Sequence, residues 1–273
     1  MILKEILEKL YPYSANKAVD DILKIYDNQK YVIWNFIYFA VIEQQKLFYS
    51  WKKTTEQKEY KKYLLNSDFL FPDGVALQTY WRMANRFWFK LQTKRLPNLN
   101  WTDFIPFFLD EVKKRLWSQR LKLYFYWSKP EIAQECKKIY SKKWFNVVYS
   151  QDWYSDFDWK QIDNSNTIEN PINIMLIARW TPTQELRVQK NLSKIKFNNL
   201  IIFTVWWLFD FIAASWWNEK IQWVQKRAPK FIRKIKLEWL RRLITDPKRN
   251  WKKIKSTLIA PCYVFKYLVL KKE

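Results

Sequence analysis

The chain of 273 residues has a single glycine, no histidine and only two cysteines, and each shortage excludes something. Without histidine, a Ser-His-Asp triad, His-based acid–base catalysis and most zinc sites are excluded. The cysteines, Cys136 and Cys262, have neither the number nor the spacing of a disulfide framework or a metal site, so we expect a cytosolic protein without a metal. One glycine is too few for the turns of an ordinary α/β protein, because positive φ and close backbone approach need a residue without Cβ.

The number of tryptophans is close to the number of glycines that the chain lacks. Average usage predicts about 19 glycines in a chain of this length, and the 18 tryptophans and one glycine together number 19. The chain also carries 49 Lys and Arg against 26 Asp and Glu, a formal charge of +23, while 49% of its residues are apolar. That apolar fraction is enough for a packed core and excludes wholesale disorder.

Strand-like and helix-like segments alternate along the middle of the chain. Apolar runs at Lys122–Tyr126, Phe145–Tyr149, Ile172–Ala178 and Leu200–Val205 predict strands, and an amphipathic helix starting at Pro130 separates the first two. This alternation predicts an α/β fold with a Rossmann-like parallel sheet flanked by helices. Ligands of such sheets bind beyond the carboxyl ends of the strands.

Tryptophan also stands where three of these strands end. Trp127 and Trp180 each follow an apolar run, and Trp206 and Trp207 follow the last one. A doubly wound fold usually has glycine at such positions, for tight turns and for the approach of phosphate groups. A bulky indole is the least expected side chain there.

The C-terminal part of the chain is strongly basic. Residues 219–273 hold 17 Lys and Arg against 4 Asp and Glu. A basic segment that also carries aromatic and aliphatic residues suits an anionic membrane surface or a nucleic acid, and the alternative is an ordinary solvated helix. We predict an α/β core at residues 1–222 and a basic, membrane-associated helical appendage at residues 223–273.

Seven short motifs follow one another between residues 71 and 249. They are Phe71–Val75 (FPDGV), Trp101–Asp103 (WTD), Trp180–Glu185 (WTPTQE), Val205–Asp210 (VWWLFD), Arg227–Pro229 (RAP), Leu237–Leu243 (LEWLRRL) and Pro247–Arg249 (PKR). In this order they resemble the motifs of the WecG/TagA/CpsF glycosyltransferases (glycosyltransferase family 26). Nearly all departures have one form, Trp where the family has Gly, whereas Trp239 stands where the family itself has Trp.

The departures lead to the hypothesis that the gene uses UGA for glycine and was translated as if UGA encoded tryptophan. UGG codons at positions 101, 180, 206 and 207 would contradict it. Trp34, Trp51, Trp81 and Trp159 stay undecided. The loop positions at which the resemblance implies glycine, together with the glycine that is written, are Gly74, Trp101, Trp127, Trp180, Trp206 and Trp207.

The resemblance implies an inverting, metal-independent transfer of a sugar similar to N-acetylmannosamine. The donor is a UDP-sugar, the acceptor is a polyprenyl-diphosphate-linked sugar, and the product belongs to a cell-envelope polysaccharide or teichoic acid. It implies no cofactor, an anionic membrane surface and a possible homo-oligomer as partners, no nucleic acid, and a peripheral location on the inner face of the cytoplasmic membrane. Which donor and which acceptor are used stays open.

Two residues are the expected catalytic groups under this resemblance. Asp73 is the expected base for the acceptor hydroxyl, and the alternative is an Asx-turn role in the Asp–Gly turn. Gln184 offers a donor and an acceptor for a sugar hydroxyl or a phosphate. Its neighbour Glu185 is expected to orient a loop or to cap the next helix.

Substrate-binding residues are also expected under the resemblance. Asn35 is placed in the first strand-end loop and Arg82 in the donor site, while Asp103 and Asp210 hold ribose or uracil hydrogens or, alternatively, cap helices. Metal-independent transfer needs protein cations for the departing diphosphate, and arginine suits phosphate oxygens. The arginines at family motif positions are Arg227, Arg242 and Arg249. For Arg242, an i,i+4 ion pair with Glu238 is the competing role.

Two other functions stay open. The chain, taken literally, is a basic, aromatic-rich protein that binds single-stranded nucleic acid such as RNA, or a structural protein of the membrane surface, but neither explains the ordered motifs. A membrane span over Leu200–Trp217 is rejected, because Asp210 lies in its middle and a charge there is costly.

Overall fold

The computed structural model describes most of the core and a few positions of the C-terminal part. The described residues are 2–26, 31–45, 47, 54–87, 90–116, 121–127, 129–152, 171–194, 199–206, 208–216, 231, 232, 240, 241, 244, 247 and 251. The predicted boundary at residue 222 and nearly all of the predicted appendage lie outside these residues.

The described strands form one six-stranded, all-parallel sheet in the order β2-β1-β6-β5-β3-β4. Their bounds are β1 Tyr31–Tyr38, β2 Phe69–Asp73, β3 Leu121–Trp127, β4 Asn146–Asp152, β5 Ile172–Ile177 and β6 Leu200–Thr204. The described helices are α1 Ile2–Lys9, α2 Ala15–Tyr26, α3 Phe39–Gln44, α4 Thr55–Asn66, α5 Val75–Phe87, α6 Trp101–Leu116, α7 Pro130–Lys142, α8 Thr183–Asn191 and α9 Leu208–Trp216. The predicted parallel α/β architecture is confirmed.

The four strands located from apolar runs correspond to β3, β4, β5 and β6. The expected position of Asn35 in a strand-end loop also implied a strand before it, and β1 is that strand but continues to Tyr38. Strand β2 was not predicted. Proline usually argues against a strand, because it cannot donate a ladder hydrogen bond. Pro72 is tolerated in β2 because β2 is an edge strand, and the Pro72 carbonyl accepts a hydrogen bond from the Leu99 amide at 3.0 Å.

Local signals explain where several helices begin. Thr54 and Gln57 form a capping box at the start of α4, in which each side chain accepts a hydrogen bond from the other residue's amide. Pro130 is the first residue of α7, as predicted, with Lys129 at the N-cap. These signals direct the chain out of the sheet and into the flanking layers.

Helices cover both faces of the sheet. One face of the sheet is covered by α2, α6, α7 and α9, and the other by α1, α3, α4, α5 and α8. Within β1, the side chains of Val32 and Trp34 lie on the first face, and those of Ile33 and Ile37 lie on the second. All six residues of β5 are buried, as expected for a parallel strand with helices on both sides. The core therefore consists of two apolar layers separated by the sheet.

The chain leaves β6 toward one face of the sheet, whereas it leaves the neighbouring strands β1 and β5 toward the other face. The helices that follow β1 and β5 pack on one face of the sheet, while α9, which follows β6, packs on the other. A crevice opens outside the carboxyl ends of parallel strands where such a reversal occurs. The fold therefore places a candidate site beyond the ends of β1, β6 and β5.

The apolar stretch that begins at Leu200 is divided between β6 and α9. Asp210 lies in the first turn of α9 and is buried. Within the described part of the chain, no helix has both the length and the apolar character that crossing a membrane requires. The described part of this stretch therefore forms a strand of the sheet and a separate helix after it.

Candidate active site

Several of the expected site residues meet at the carboxyl edge of the sheet. Asp73 is the last residue of β2 and pairs in register with Tyr38, the last residue of β1. Trp206 follows β6, and Thr181 and Gln184 lie in or just after the turn that follows β5. Because β2, β1, β6 and β5 are consecutive in the sheet, these five side chains line one continuous edge.

The predicted Asp73–Gly74 turn is present at the end of β2. Gly74 has φ +90°, in the region that favours glycine. Its amide donates a hydrogen bond to Asn98 Oδ1 at 2.8 Å. The Asp73 side chain is half-buried. The loop at residues 96–100 therefore fixes the backbone around the candidate base.

Tyr38 connects the two sides of this edge. Burial raises its pKa most, and the negative charges of Asp73 and Glu185 raise it further. Its ring meets the Trp206 indole edge-on, with ring centroids 4.7 Å apart. Tyr38 was not predicted as a site residue, although its place at the end of the apolar run YVIWNFIY is the signal that could have indicated it.

A chain of hydrogen bonds organises the turn between β5 and α8. Gln184 Oε1 accepts from the Arg179 amide at 3.0 Å, and Gln184 Nε2 donates to Glu185 Oε1 at 2.7 Å. Thr181 Oγ1 donates to the same oxygen of Glu185 at 2.9 Å and accepts from Trp206 Nε1 at 2.7 Å. Glu185 therefore orients the loop, which was one of its two expected roles. The sugar contact expected of Gln184 stays a prediction.

Glu185 is a deeply buried acid, with only 1% of its surface exposed. Burial raises the pKa of Glu185 to about 7, against the opposing effect of the hydrogen bonds from Gln184 and Thr181. Tyr60 and Tyr63 of α4 face it, and its negative charge adds to burial in raising the pKa of both tyrosines. The carboxyl group therefore titrates near neutral pH.

The structure does not place Asn35 where it was expected. It lies inside β1 and is buried, so its expected position in a strand-end loop is wrong. Its Nδ2 donates to Ser67 Oγ, and its Oδ1 accepts from Thr204 Oγ1 at 2.7 Å. These bonds join β1 to β6 and to the end of α4, which satisfies a buried amide inside the sheet.

Three other expected residues lie on helices. Arg82 is exposed in the middle of α5. Asp103 lies in the first turn of α6, where its carboxylate accepts from Asn100 Nδ2 at 2.9 Å and its amide donates to Asn100 Oδ1 at 3.0 Å. The N-cap of α6 is therefore Asn100. Asp210 lies on the opposite face from Glu185, where its charge, after burial, raises the pKa of Cys136.

Two tryptophans have the left-handed backbone conformation that favours glycine. Trp206 has φ +49° two residues after the end of β6, and Trp144 has φ +64° two residues after the end of α7. The Trp144 amide donates to Ser141 O at 2.9 Å and the Phe145 amide to Tyr140 O at 3.1 Å. These two bonds define a Schellman motif with Trp144 at the position that glycine usually occupies.

The remaining loop tryptophans differ from these two. Trp180 is 60% exposed, with the Arg179 guanidinium 4.2 Å from its ring centroid. Trp101 is the first residue of α6 and Trp127 the last of β3. Among the described residues other than glycine, positive φ occurs at Trp144, Asn199 and Trp206, so the backbone at 101, 127 and 180 does not itself require glycine.

Two of the undecided tryptophans fill the interior. Trp34 is fully buried, stacks on Phe69 with ring centroids 3.9 Å apart, and meets Phe71 edge-on at 4.7 Å. Trp81 is fully buried, and its Nε1 donates to Thr93 O at 2.9 Å. Both indoles fill space in the core. The hydrogen bond of Trp81 also satisfies its indole N–H, whereas Trp34 Nε1 is buried without a hydrogen-bond partner among the described residues.

The arginines expected to face a leaving diphosphate lie outside the described residues. Among the described residues, no group of three or more Cys, Asp or Glu side chains is arranged to hold a metal ion. The expected residues that lie outside the described part of the chain are Trp51, Trp159, Trp207, Arg227, Trp239, Arg242 and Arg249.

Comparison with known proteins gives one family match. The sequence profile described as "Glycosyl transferase WecG/TagA/CpsF family" matches residues 9–273 of the chain. No curated protein sequence matches the chain at a significant level. The profile therefore spans every described strand of the sheet and the whole basic C-terminal part.

Proposed function

The chain belongs to the WecG/TagA/CpsF family of glycosyltransferases, and from that premise we propose its donor, acceptor and mechanism. The donor is a UDP-sugar similar to UDP-N-acetylmannosamine, and the acceptor is a polyprenyl-diphosphate-linked sugar used in cell-envelope polysaccharide or teichoic-acid synthesis. One observation carries the proposal: Asp73 lies at the carboxyl edge of the sheet, across Tyr38 from the Glu185 turn. That edge is where parallel sheets bind ligands.

Asp73 acts as the general base in this proposal. Its carboxylate takes the proton of the acceptor hydroxyl while that oxygen attacks the anomeric carbon of the donor. The bond from the anomeric carbon to the UDP oxygen breaks on the opposite side of the sugar, so the configuration inverts. The half-buried position of Asp73 leaves it open to an acceptor sugar and reduces its solvation.

The leaving UDP carries negative charge that protein cations neutralise, with no metal ion taking part. Arg227, Arg242 and Arg249 of the basic C-terminal part supply this charge, because the guanidinium fork matches phosphate oxygens. The same basic part holds the enzyme against the inner face of the cytoplasmic membrane, where each basic residue near an anionic surface contributes about 1 kcal/mol. Both roles use the 17 Lys and Arg of residues 219–273.

The alternative of a nucleic-acid binding protein has less support. A stacking surface for unpaired bases places aromatic side chains together, as on the strands of a sheet. In the described part of the chain, none of the exposed large aromatic residues lies on a strand. These residues are Tyr13, Phe87, Trp144, Trp180, Phe231 and Trp251.

We also propose that the natural polypeptide has glycine where the written sequence has loop tryptophans. The Schellman motif supports this at Trp144, a position outside the family motifs, and the positive φ supports it at Trp206. UGA codons at these positions, with UGG at Trp34, Trp81 and Trp239, are the expected pattern. Peptide masses of the protein from its source check the proposal directly, and tryptophan at 144 and 206 would contradict it.

A transfer assay tests the function. A form with glycine at 101, 127, 144, 180, 206 and 207, called the glycine form, is incubated with UDP-N-acetylmannosamine, its uronic acid or UDP-glucose and a polyprenyl-diphosphate-linked sugar. We expect one donor to be consumed only when acceptor is present, with no loss of activity in EDTA. The written sequence is expected to be inactive, because an indole at position 206 occupies the site.

The matched variants of the glycine form are Asp73→Asn and Asp110→Asn. Asp73→Asn should lower kcat at least about 100-fold with little change in donor binding, because it removes the base alone. Asp110 is an exposed carboxylate further along α6, and its replacement should leave the rate unchanged. Salt-dependent RNA binding without any sugar transfer would favour the alternative function.

A further inference from the structure

Glu185 has an asymmetric set of contacts. One oxygen, Oε1, accepts hydrogen bonds from both Gln184 Nε2 and Thr181 Oγ1, at 2.7 and 2.9 Å. The other oxygen, Oε2, is buried and has no hydrogen-bond partner among the residues that the structure describes. A neutral carboxylic acid with its proton on Oε2 keeps Oε1 able to accept both hydrogen bonds, so these contacts do not require the charged form.

The surroundings of Glu185 offer little compensation for a negative charge. None of the described lysines or arginines forms an ion pair with it. The titratable groups that face it from neighbouring elements are Tyr38 of β1 and Tyr60 and Tyr63 of α4. A buried carboxylate with no cation costs far more free energy than the neutral acid does.

We propose that Glu185 is a positioning residue that holds the turn between β5 and α8 for the sugar donor while its carboxyl group bears a proton. The turn-holding role stands on the hydrogen bonds alone, and the link to the donor rests on the proposed function. Glu185 touches neither the reacting carbon nor the acceptor, and it acts through Gln184 and Thr181.

The hydrogen bonds fix two orientations in the turn. Because Gln184 Nε2 is bound to Glu185, Gln184 Oε1 must face the Arg179 amide, so the side-chain amide cannot turn over. Because the Thr181 hydroxyl proton is directed at Glu185, its lone pairs face the crevice, where Trp206 Nε1 now donates to them. A hydroxyl of the donor sugar takes the place of that indole N–H in the glycine form.

Two variants separate a neutral positioning acid from an ionised one. Glu185→Gln keeps the shape and the Oε1 acceptor but cannot ionise, and Glu185→Ala removes both hydrogen bonds. Hydrogen exchange of the Arg179 amide, measured in the full chain as written, reports on the turn independently of any activity. We expect Glu185→Ala to speed this exchange about tenfold and Glu185→Gln to change it less than about threefold.

Two further measurements in the same variants address the proton and the donor. The infrared carbonyl band of a buried protonated carboxyl should be present in the unsubstituted chain at pH 6 and absent in Glu185→Gln. In the glycine form, the affinity for the UDP-sugar should fall as the pH rises above about 7, because a buried negative charge then stands beside the site. Glu185→Gln should abolish that fall and keep the affinity seen at pH 6.

The outcomes distinguish this inference from the proposed function. If Glu185→Gln speeds exchange at Arg179 as much as Glu185→Ala does, or if the infrared band is absent, the neutral positioning role is overturned. If exchange and infrared results are as expected but the glycine form binds no UDP-sugar, the turn-holding acid is upheld and the proposed donor is wrong.

Discussion

Tryptophan occupies two contrasting regions of this molecule, the interior of the sheet and the loops around it. Trp34 is enclosed by Phe69, Phe71 and Phe203 in the core. Trp144 is 81% exposed and has φ +64°. The same residue type is thus enclosed by aromatic rings in one region and has a strained backbone in the other.

This difference separates the tryptophans that support the glycine proposal from those that do not. An interior indole has contacts that only a large side chain could make, whereas a loop indole at positive φ has a backbone that a side chain disfavours. The motif positions alone could not make this distinction for Trp34 and Trp81, and they did not include Trp144. Backbone conformation and burial therefore sort tryptophans that sequence comparison left undecided.

The largest expected effect is a loss of stability when a buried tryptophan is replaced. Trp34→Ala should lower the free energy of unfolding by about 4 kcal/mol, because it leaves a cavity beside the stacked Phe69 ring. Trp34→Phe, the control, should cost much less. Urea unfolding followed by circular dichroism measures both, and a small loss for Trp34→Ala would mean that this position too suits a smaller residue.

The second effect concerns the buried acid at the sheet edge. The pKa of Glu185 is about 7 in the folded chain against 4.5 for an ordinary glutamate. The folded state thus binds the proton more tightly, so the stability contribution is full below pH 4.5 and is lost by about pH 7. That loss is about 3 kcal/mol. The difference in unfolding free energy between the unsubstituted chain and Glu185→Gln should follow this slope, and a constant difference would contradict the raised pKa.

The third effect is at Trp206, where the loop meets the candidate site. Trp206→Gly should relieve the positive φ but remove the hydrogen bond to Thr181 and the contact with Tyr38, so stability should change little. Binding of a UDP-sugar, measured by calorimetry, should tighten at least about tenfold, which is 1.4 kcal/mol. Trp206→Phe, as control, should give no gain. Equal binding by all three proteins would show that the indole does not occupy the donor's place.

The smallest effect is at Trp144, in a turn remote from the carboxyl edge. Trp144→Gly should raise the free energy of unfolding by about 1 kcal/mol, because glycine adopts positive φ without a Cβ clash. Trp144→Ala keeps the Cβ and should give little of this gain. UDP-sugar binding should be the same in both. A destabilised Trp144→Gly protein would remove the structural argument for glycine at this position.

Much of the fold could be predicted from the sequence, for physical reasons. Strands β5 and β6 are short, mostly apolar and fully buried, because both of their faces are covered by helices. The start of α7 follows from Pro130 and its preceding residue. Strand β2 was missed because Pro72 argues against a strand unless the strand lies at an edge, and edge position is a property of the whole sheet.

The candidate site was predicted less completely than the fold. Asp73 and Gln184 were expected from their motifs and do lie on the same sheet edge. Tyr38, and the hydrogen bonds of Glu185 to Thr181 and Gln184, depend on which strands become neighbours, which one-dimensional patterns do not encode. The misplaced Asn35 illustrates the same point, because a polar residue after an apolar run is also found inside a strand when a neighbouring strand supplies its hydrogen bonds.

If the proposed UGA codons are present, the order of strands in the sheet determines what an organism whose ribosomes stop at UGA would make from this gene. Only β1 and β2 precede position 101, whereas β6, the other neighbour of β1, lies beyond residue 199. A product terminated at or before position 101 would contain at most β1 and β2, and the edge of β1 that normally pairs with β6 would have no partner strand. Such a fragment cannot form the sheet, so the gene would yield no working enzyme after transfer to such a host.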